Sequence, residues 1–242
     1  MKLSEQIRFL YRVWKYRVRV ERAEIAFVVD NLRLGQTAID IGAHKGAFTY
    51  WMSRSVGNTG RVIAFEPQPE LSGYLENIRR GLPLSNVTVV AGGVSSSSGS
   101  LRLHRPSEEP SPSATLAVQE DTNTSQSMDV SVYGLDEYSD SENLPRIDLI
   151  KCDVEGHELE VFRGATNVLR RDRPTLLFEC EERHQTSSNM HEVFDFLEQI
   201  GYAGKCFANG KLIDIEPERL RDQDPSSSSY VNNFAFTHKR AA

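Results

Sequence analysis

The chain has 242 residues, 39% of them hydrophobic and 26% charged, enough apolar material for one large α/β domain with a substantial core. Its net charge of −6 excludes bulk nucleic-acid binding, which requires a basic footprint. The three cysteines, Cys152, Cys180 and Cys206, form no CxxC pair; they offer neither a disulfide framework nor a structural zinc site, and a reduced, cytoplasmic setting is expected.

Near the start, Ile7, Leu10, Tyr11, Trp14, Val18, Ile25, Val28 and Leu32 recur at helical spacing, while Arg8, Arg12, Lys15, Arg19 and Arg22 occupy another face. Residues 1–34 therefore read as a basic amphipathic helical segment packed on a domain of residues 35–242. Peripheral membrane contact through this helix is the minor reading; a helix capping the domain with solvated charges is preferred. No apolar stretch approaches the roughly 20 residues needed to span a bilayer.

Thr37 to Ile41 reads as a buried strand, Gly42 to Gly46 as a tight turn, and Phe48, Trp51, Met52 and Val56 as the apolar face of a helix. A second strand covers Arg61 to Phe65 and ends at Glu66-Pro67. A helix over 69–80 begins with Pro69 in its first turn and stops at Gly81. A third strand over Val87 to Val90 runs into Gly92-Gly93. Residues 95–130 are rich in serine and proline, with Leu101–Leu103 and Met128–Tyr133 as strands of a hairpin-like excursion. A fourth strand ends at Lys151-Cys152 and a fifth, from Pro174 to Phe178, ends at Glu179. A helix over 190–200 and strands over 202–208 and 230–237 complete the pattern. Strands alternating with helices imply a doubly wound α/β fold, with a mostly parallel, seven-stranded, Rossmann-like sheet and right-handed crossovers.

In such sheets ligands bind beyond the carboxyl ends of the strands. In the first loop, Asp40-Ile-Gly42-Ala43-His-Lys-Gly46, Gly42 permits positive φ and close backbone approach, and Gly46 lets the next helix pack close to the strand. A dinucleotide site would show G-x-G-x-x-G, which is missing, and the Asp40 carboxylate would repel a pyrophosphate. A ligand with an ammonium and a sulfonium, such as S-adenosylmethionine, is favoured by the same charge. Glu66 is placed to accept hydrogen bonds from ribose hydroxyls, and Gly93 and Val94 to flank an adenine. Past the fourth strand, Asp153, Glu155 and His157 gather just before a helix carrying Leu159, Phe162 and Leu169. With Glu179, the carboxylates have the oxygen chemistry for a divalent cation, but no spacing demands one and no metal is assigned. Glu179, Glu181, Glu182 and His184 form an acidic stretch suited to lining an acceptor pocket or to lying in solvent.

These residues resemble the FkbM family of S-adenosylmethionine-dependent methyltransferases. The resemblance rests on AIDIGAHKGAFT (38–49), VIAFEPQPE (62–70), LENIRR (75–80), LDEY (135–138) and IDLIKCDVEGHELEVFRGA (147–165), and runs from about Glu24 to Phe236. His44 departs from the family's frequent Asn. The resemblance implies an enzyme that methylates a hydroxyl oxygen on a sugar or secondary-metabolite acceptor, with S-adenosyl-L-methionine as cofactor held by Asp40, Gly42, Ala43, Gly46, Glu66, Gly93, Val94 and Asp153. The reaction needs an aligned oxygen and a proton acceptor. His157 or Glu155 takes that role in this reading, with Asp153 ordering donor or substrate. The alternative is a non-catalytic nucleoside-binding or interaction protein of the same fold.

Overall fold

The computed structural model describes residues 2–116, 126–181, 190–221, 224, 226–227 and 229–239. The runs read as strands form them because most of their side chains are apolar and, except at the Val87–Ala91 edge, both sheet faces are covered. These are β1 (Thr37–Ile41), β2 (Arg61–Glu66), β3 (Val87–Ala91), β7 (Leu149–Cys152) and β8 (Thr175–Glu179). All five pair in parallel. Three antiparallel strands extend one edge: β11 (Asn233–His238) beside β8, then β9 (Tyr202–Ala208), then β10 (Lys211–Asp214). The sheet order is β10-β9-β11-β8-β7-β1-β2-β3. It therefore has eight strands, not seven. The addition, β10, follows a turn in which Asn209 and Gly210 both take positive φ, and that turn folds the chain back on β9.

Side chains alternate across this sheet. One face, through Ala38, Val62, Ala64 and Leu149, meets α1 (Leu3–Lys15), α2 (Arg22–Asn31), α3 (Ala47–Val56) and α4 (Pro69–Gly81). The other, through Ile39, Phe65, Ile150 and Phe178, meets α5 (Leu135–Ser141), α6 (Glu158–Arg163), α7 (Thr166–Asp172) and α8 (Met190–Gln199). A further short helix, α9 (Pro217–Arg221), precedes β11.

Three local details differ from the sequence reading. The N-terminal segment is two helices joined by a π-helical turn, Tyr16–Val20, which re-aims the chain at Glu21. The helix expected after the fourth strand is split into α6 and α7 at Gly164, where a Cβ would overlap the Ser95 carbonyl. The excursion after β3 contains the expected hairpin, β5 (Gly99–Arg105) antiparallel to β6 (Gln126–Gly134); the difference is β4 (Gly93–Ser95), which adds in parallel to make a small separate sheet. Residues 117–125 of the expected 95–130 segment lie outside the described residues, as do Glu182 and His184 of the acidic stretch.

The core is densest around Phe178, whose ring lies 5.2 Å from Phe162, 5.3 Å from Phe236, 5.8 Å from Phe234 and 6.2 Å from Phe194. This cluster ties the antiparallel edge and α6 to the parallel strands. Phe178→Ala is expected to lose about 3–5 kcal/mol of stability in urea unfolding, the range for removing a fully buried ring.

Candidate active site

Strand β1 has β2 on one side and β7 on the other; α3, leaving β1 for β2, lies on one face and α5, leading into β7, on the other, which opens a crevice at the carboxyl ends. A cavity of about 330 Å³ lies there, large enough for a small-molecule ligand. Its floor is Ile41, Gly42 and Ala43; its walls come from every element that ends nearby.

The first loop is pinned by backbone contacts. The N–H groups of Gly42 and Ala43 both donate to the Phe65 carbonyl at 3.0 Å. Gly42 has φ 74°, and a Cβ on it would overlap the Asp153 carbonyl. Only glycine lets the loops after β1 and β7 meet backbone to backbone. His44, at φ 49°, donates its N–H to Glu66 Oε2 at 2.7 Å, and the Gln68 N–H donates to Glu66 Oε1 at 3.0 Å. Glu66 thus lines the cavity with its carboxylate fixed in place and 2% exposed. Burial raises its pKa to about 7 against the pull of those two amides. Burial likewise lowers His44 to about 4, so its ring is neutral, and its Nε2 is buried in the cavity wall without a hydrogen-bond partner.

Beyond Glu66, Gly93, Val94, Leu103 and Leu116 make an apolar slot. It is closed by a reciprocal amide pair. Gln68 Nε2 donates to the Ser111 carbonyl at 3.0 Å, and the Ser111 N–H donates to Gln68 Oε1 at 2.9 Å. The excursion is therefore part of the site: Thr115 Oγ1 also donates to the Glu155 carbonyl at 2.6 Å.

One end of the cavity is acidic. Lys151, on β7, is buried and donates from Nζ to the Gly42 carbonyl at 3.1 Å and to Asp153 Oδ2 at 3.2 Å, with Asp40 Oδ1 at 3.8 Å. Burial opposes its charge, but Asp153, Asp40 and Glu21 outweigh burial and raise its pKa. Glu155, at φ 52°, Glu179 and Glu21 complete this end. Burial pushes Glu179 up to about 9, reinforced by the charges of Asp153, Glu155 and Glu181, so it is protonated at neutral pH. Asn232 Nδ2 bridges Glu179 and Glu181 at 2.8 and 2.9 Å. Burial raises Glu21 to about 7. Among the described residues no three His, Cys, Asp or Glu side chains are grouped to hold a metal ion.

Of the residues expected from sequence, Gly42, Ala43, Glu66, Gly93, Val94, Asp153 and Glu155 line the cavity. Three do not. Asp40 sits behind the loop, fully buried, accepting from Thr49 Oγ1 at 2.5 Å and facing Lys151; its charge is spent on that lysine, so the acidic character of the site comes from the carboxylates in front of it. Gly46 caps α3 in the left-handed region; a Cβ there would meet Leu75 of α4 and lie near Phe9 of α1, so its close neighbour is a helix layer and not the strand. His157 is neither in the cavity nor in solvent: it is 8% exposed and its Nε2 lies 2.9 Å from Ser95 Oγ, which ties α6 to β4. Sequence reasoning missed Arg12, Tyr16 and Glu21 from the N-terminal segment, and Lys151, Lys45, Gln68 and Ser111. Lys151 alone carried a signal, a charge at the end of an otherwise apolar strand.

Residues 40–203 match the model of the methyltransferase FkbM domain family. The chain is 31% identical over 159 residues to hexuronic acid methyltransferase AglP of Haloferax volcanii, covering 65% of this chain and 62% of that protein. It is 29% identical over 163 residues to methyltransferase sdnD of Sordaria araneosa, covering 56% of this chain and 62% of that protein. The chain thus spans a little over three fifths of the length of these relatives. Among solved structures, it superposes on methyltransferase FkbM from Methylobacillus flagellatus KT with TM-score 0.54 at 16% identity, covering 98% of this chain and 56% of that one.

Two outcomes are expected. Lys151→Met, which leaves Asp40 buried without its counter-charge, should cost about 3–5 kcal/mol in denaturant unfolding. For Glu179, the folded pKa lies above the unfolded one, so the folded state holds a proton that the unfolded state has released. Stability therefore falls as pH rises from about 4.5 to about 9. A Tm series across that window should fall less steeply for Glu179→Gln than for wild type.

Proposed function

The chain belongs to the FkbM methyltransferase family, and on that premise we propose that it methylates a hydroxyl oxygen of a small acceptor with S-adenosyl-L-methionine as donor. The observation that carries this reading is that one crevice is lined by Glu66, by the apolar slot of Gly93, Val94, Leu103 and Leu116, and by the carboxylates of Asp153 and Glu155. A buried carboxylate beside an apolar slot suits a nucleoside, its two oxygens keeping lone pairs for ribose hydroxyls. The glycine cradle at Gly42 and the carboxylates of Asp153 and Glu155 suit a ligand that carries an ammonium and a sulfonium.

The donor supplies an electrophilic methyl group. The chain's own residues bind, orient and take up a proton. Glu66 and Gln68 would hold the nucleoside part of the donor, and His44 and Asp153 its amino-acid part. With His157 engaged by Ser95, the proton-accepting role falls to Glu155, a carboxylate in the cavity wall held in a left-handed turn. Asp153, fixed by Lys151, orients the reacting groups. Glu179, protonated and hydrogen-bonded to Glu181, lines the cavity without adding charge. We assign the acceptor to the sugar or secondary-metabolite hydroxyls, a class that includes the hexuronic acid in the name of the Haloferax volcanii relative.

Calorimetric titration of S-adenosylhomocysteine is expected to show micromolar-range binding to wild type and none to Glu66→Ala. A panel of hydroxylated sugars then identifies the acceptor. With it, Glu155→Gln should lower kcat by at least 100-fold with donor affinity retained, and His157→Ala should change kcat far less. Absence of donor binding to the folded wild type would overturn the proposal.

A further inference from the structure

Helix α1 has two apolar faces, and among the described residues only one of them is covered. Phe9 and Val13 turn inward and are buried against the domain. Leu3, Ile7, Tyr11 and Trp14, at spacings of four, four and three, line the outer face, and Val18 on the π-helical turn continues it. These five side chains are 53–71% exposed. Single exposed apolar residues are ordinary; an aligned row of five with two aromatic rings marks a contact surface.

The charges beside the row identify what covers it. Between Lys2 and Arg22 the chain carries seven cationic side chains and two acidic ones, although the whole chain is at −6. Arg12 and Arg17 are used internally, Arg12 on the Tyr74 hydroxyl at 3.2 Å and Arg17 over the Trp51 ring at 4.5 Å. Arg8, Lys15, Arg19 and Arg22 are exposed and make no ion pair among the described residues. A second copy of the chain set face to face on the row would bring these like charges together. An anionic surface that also accepts apolar side chains satisfies both features at once.

We propose that the outer face of α1 docks in the plane of an anionic lipid surface, with Leu3, Ile7, Tyr11, Trp14 and Val18 inserted at the headgroup boundary and Arg8, Lys15, Arg19 and Arg22 over lipid phosphates. No helix among the described residues is long and apolar enough to cross a membrane, so this is attachment in the interface. The same segment turns Arg12, Tyr16 and Glu21 inward to line the cavity, so the wall of the site is itself the docking element. The inference stands independently of the reaction proposed above.

The test is co-sedimentation of the full chain with vesicles of phosphatidylcholine alone or with 30% phosphatidylglycerol, at about 0.1 M salt. Trp14 emission is read in parallel. Wild type should sediment with the anionic vesicles at least tenfold more than with neutral ones, and its emission should shift to the blue. Ile7→Glu/Tyr11→Glu, both at exposed positions, should lose this binding while keeping wild-type circular dichroism and Tm. Arg8→Gln/Arg19→Gln should weaken binding and flatten its salt dependence. Equal sedimentation with both vesicle types, unchanged binding by the Glu pair, or no binding by folded protein would overturn the proposal. So would a dimer in light scattering that the Glu pair dissociates without vesicle binding, which would assign the face to a second copy.

Discussion

Lys151 holds the site together. Its ammonium is buried between Asp40 on β1 and Asp153 beyond β7, and it reaches the carbonyl of Gly42 in the loop between them. Removing Lys151 and Asp40 from water is costly, and attraction at these distances returns that cost only because the geometry is held on all sides. The holding comes from the parallel ladder, in which Asp40 and Lys151 are register partners, and from the glycine that lets the two loops touch backbone to backbone. Strand register, loop conformation and the orientation of Asp153 are thus one constraint. A change at any of the three is felt at the others.

Around that constraint the cavity gathers more carboxylates than the fold would choose for stability. Glu21, Glu66 and Glu179 all have raised pKa values: burial outweighs the partners of Glu21 and Glu66, and neighbouring carboxylates reinforce it at Glu179. Each costs stability as pH rises from its unfolded value, since the folded state keeps a proton that the unfolded chain has released. Such groups persist where a ligand uses them, and a cationic ligand would relieve the repulsion among them. Stability is exchanged for a site whose charge is opposite to that of the proposed donor.

The walls come from segments that a fold-level reading treats as decoration. The serine- and proline-rich excursion reaches the cavity through the Gln68–Ser111 amide pair, and the N-terminal segment reaches it through Arg12, Tyr16 and Glu21. The π-helical turn at Tyr16–Val20 makes the second contact possible, because it bends the chain between α1 and α2 and delivers Glu21 to the acidic end. That turn connects the inner, site-forming side of the segment to its uncovered outer side.

The sequence by itself determined the alternation of strands and helices, the glycine turn after the first strand, the carboxylate ending the second, and the Asp153–Glu155 loop. Each of these is written in local periodicity or in one residue type that the backbone requires. Tertiary structure alone decided which charges meet. Asp40 finds Lys151 and His157 finds Ser95 across long stretches of chain, so one apparent ligand contact became a structural pair and one apparent base became a tie between α6 and β4. Nothing local distinguishes a histidine aimed into a cavity from one aimed at a neighbouring strand; that direction is set by register and packing. The eighth strand and the apolar outer face of α1 belong to the same category, because whether an edge or a face is covered depends on what the rest of the chain brings to it.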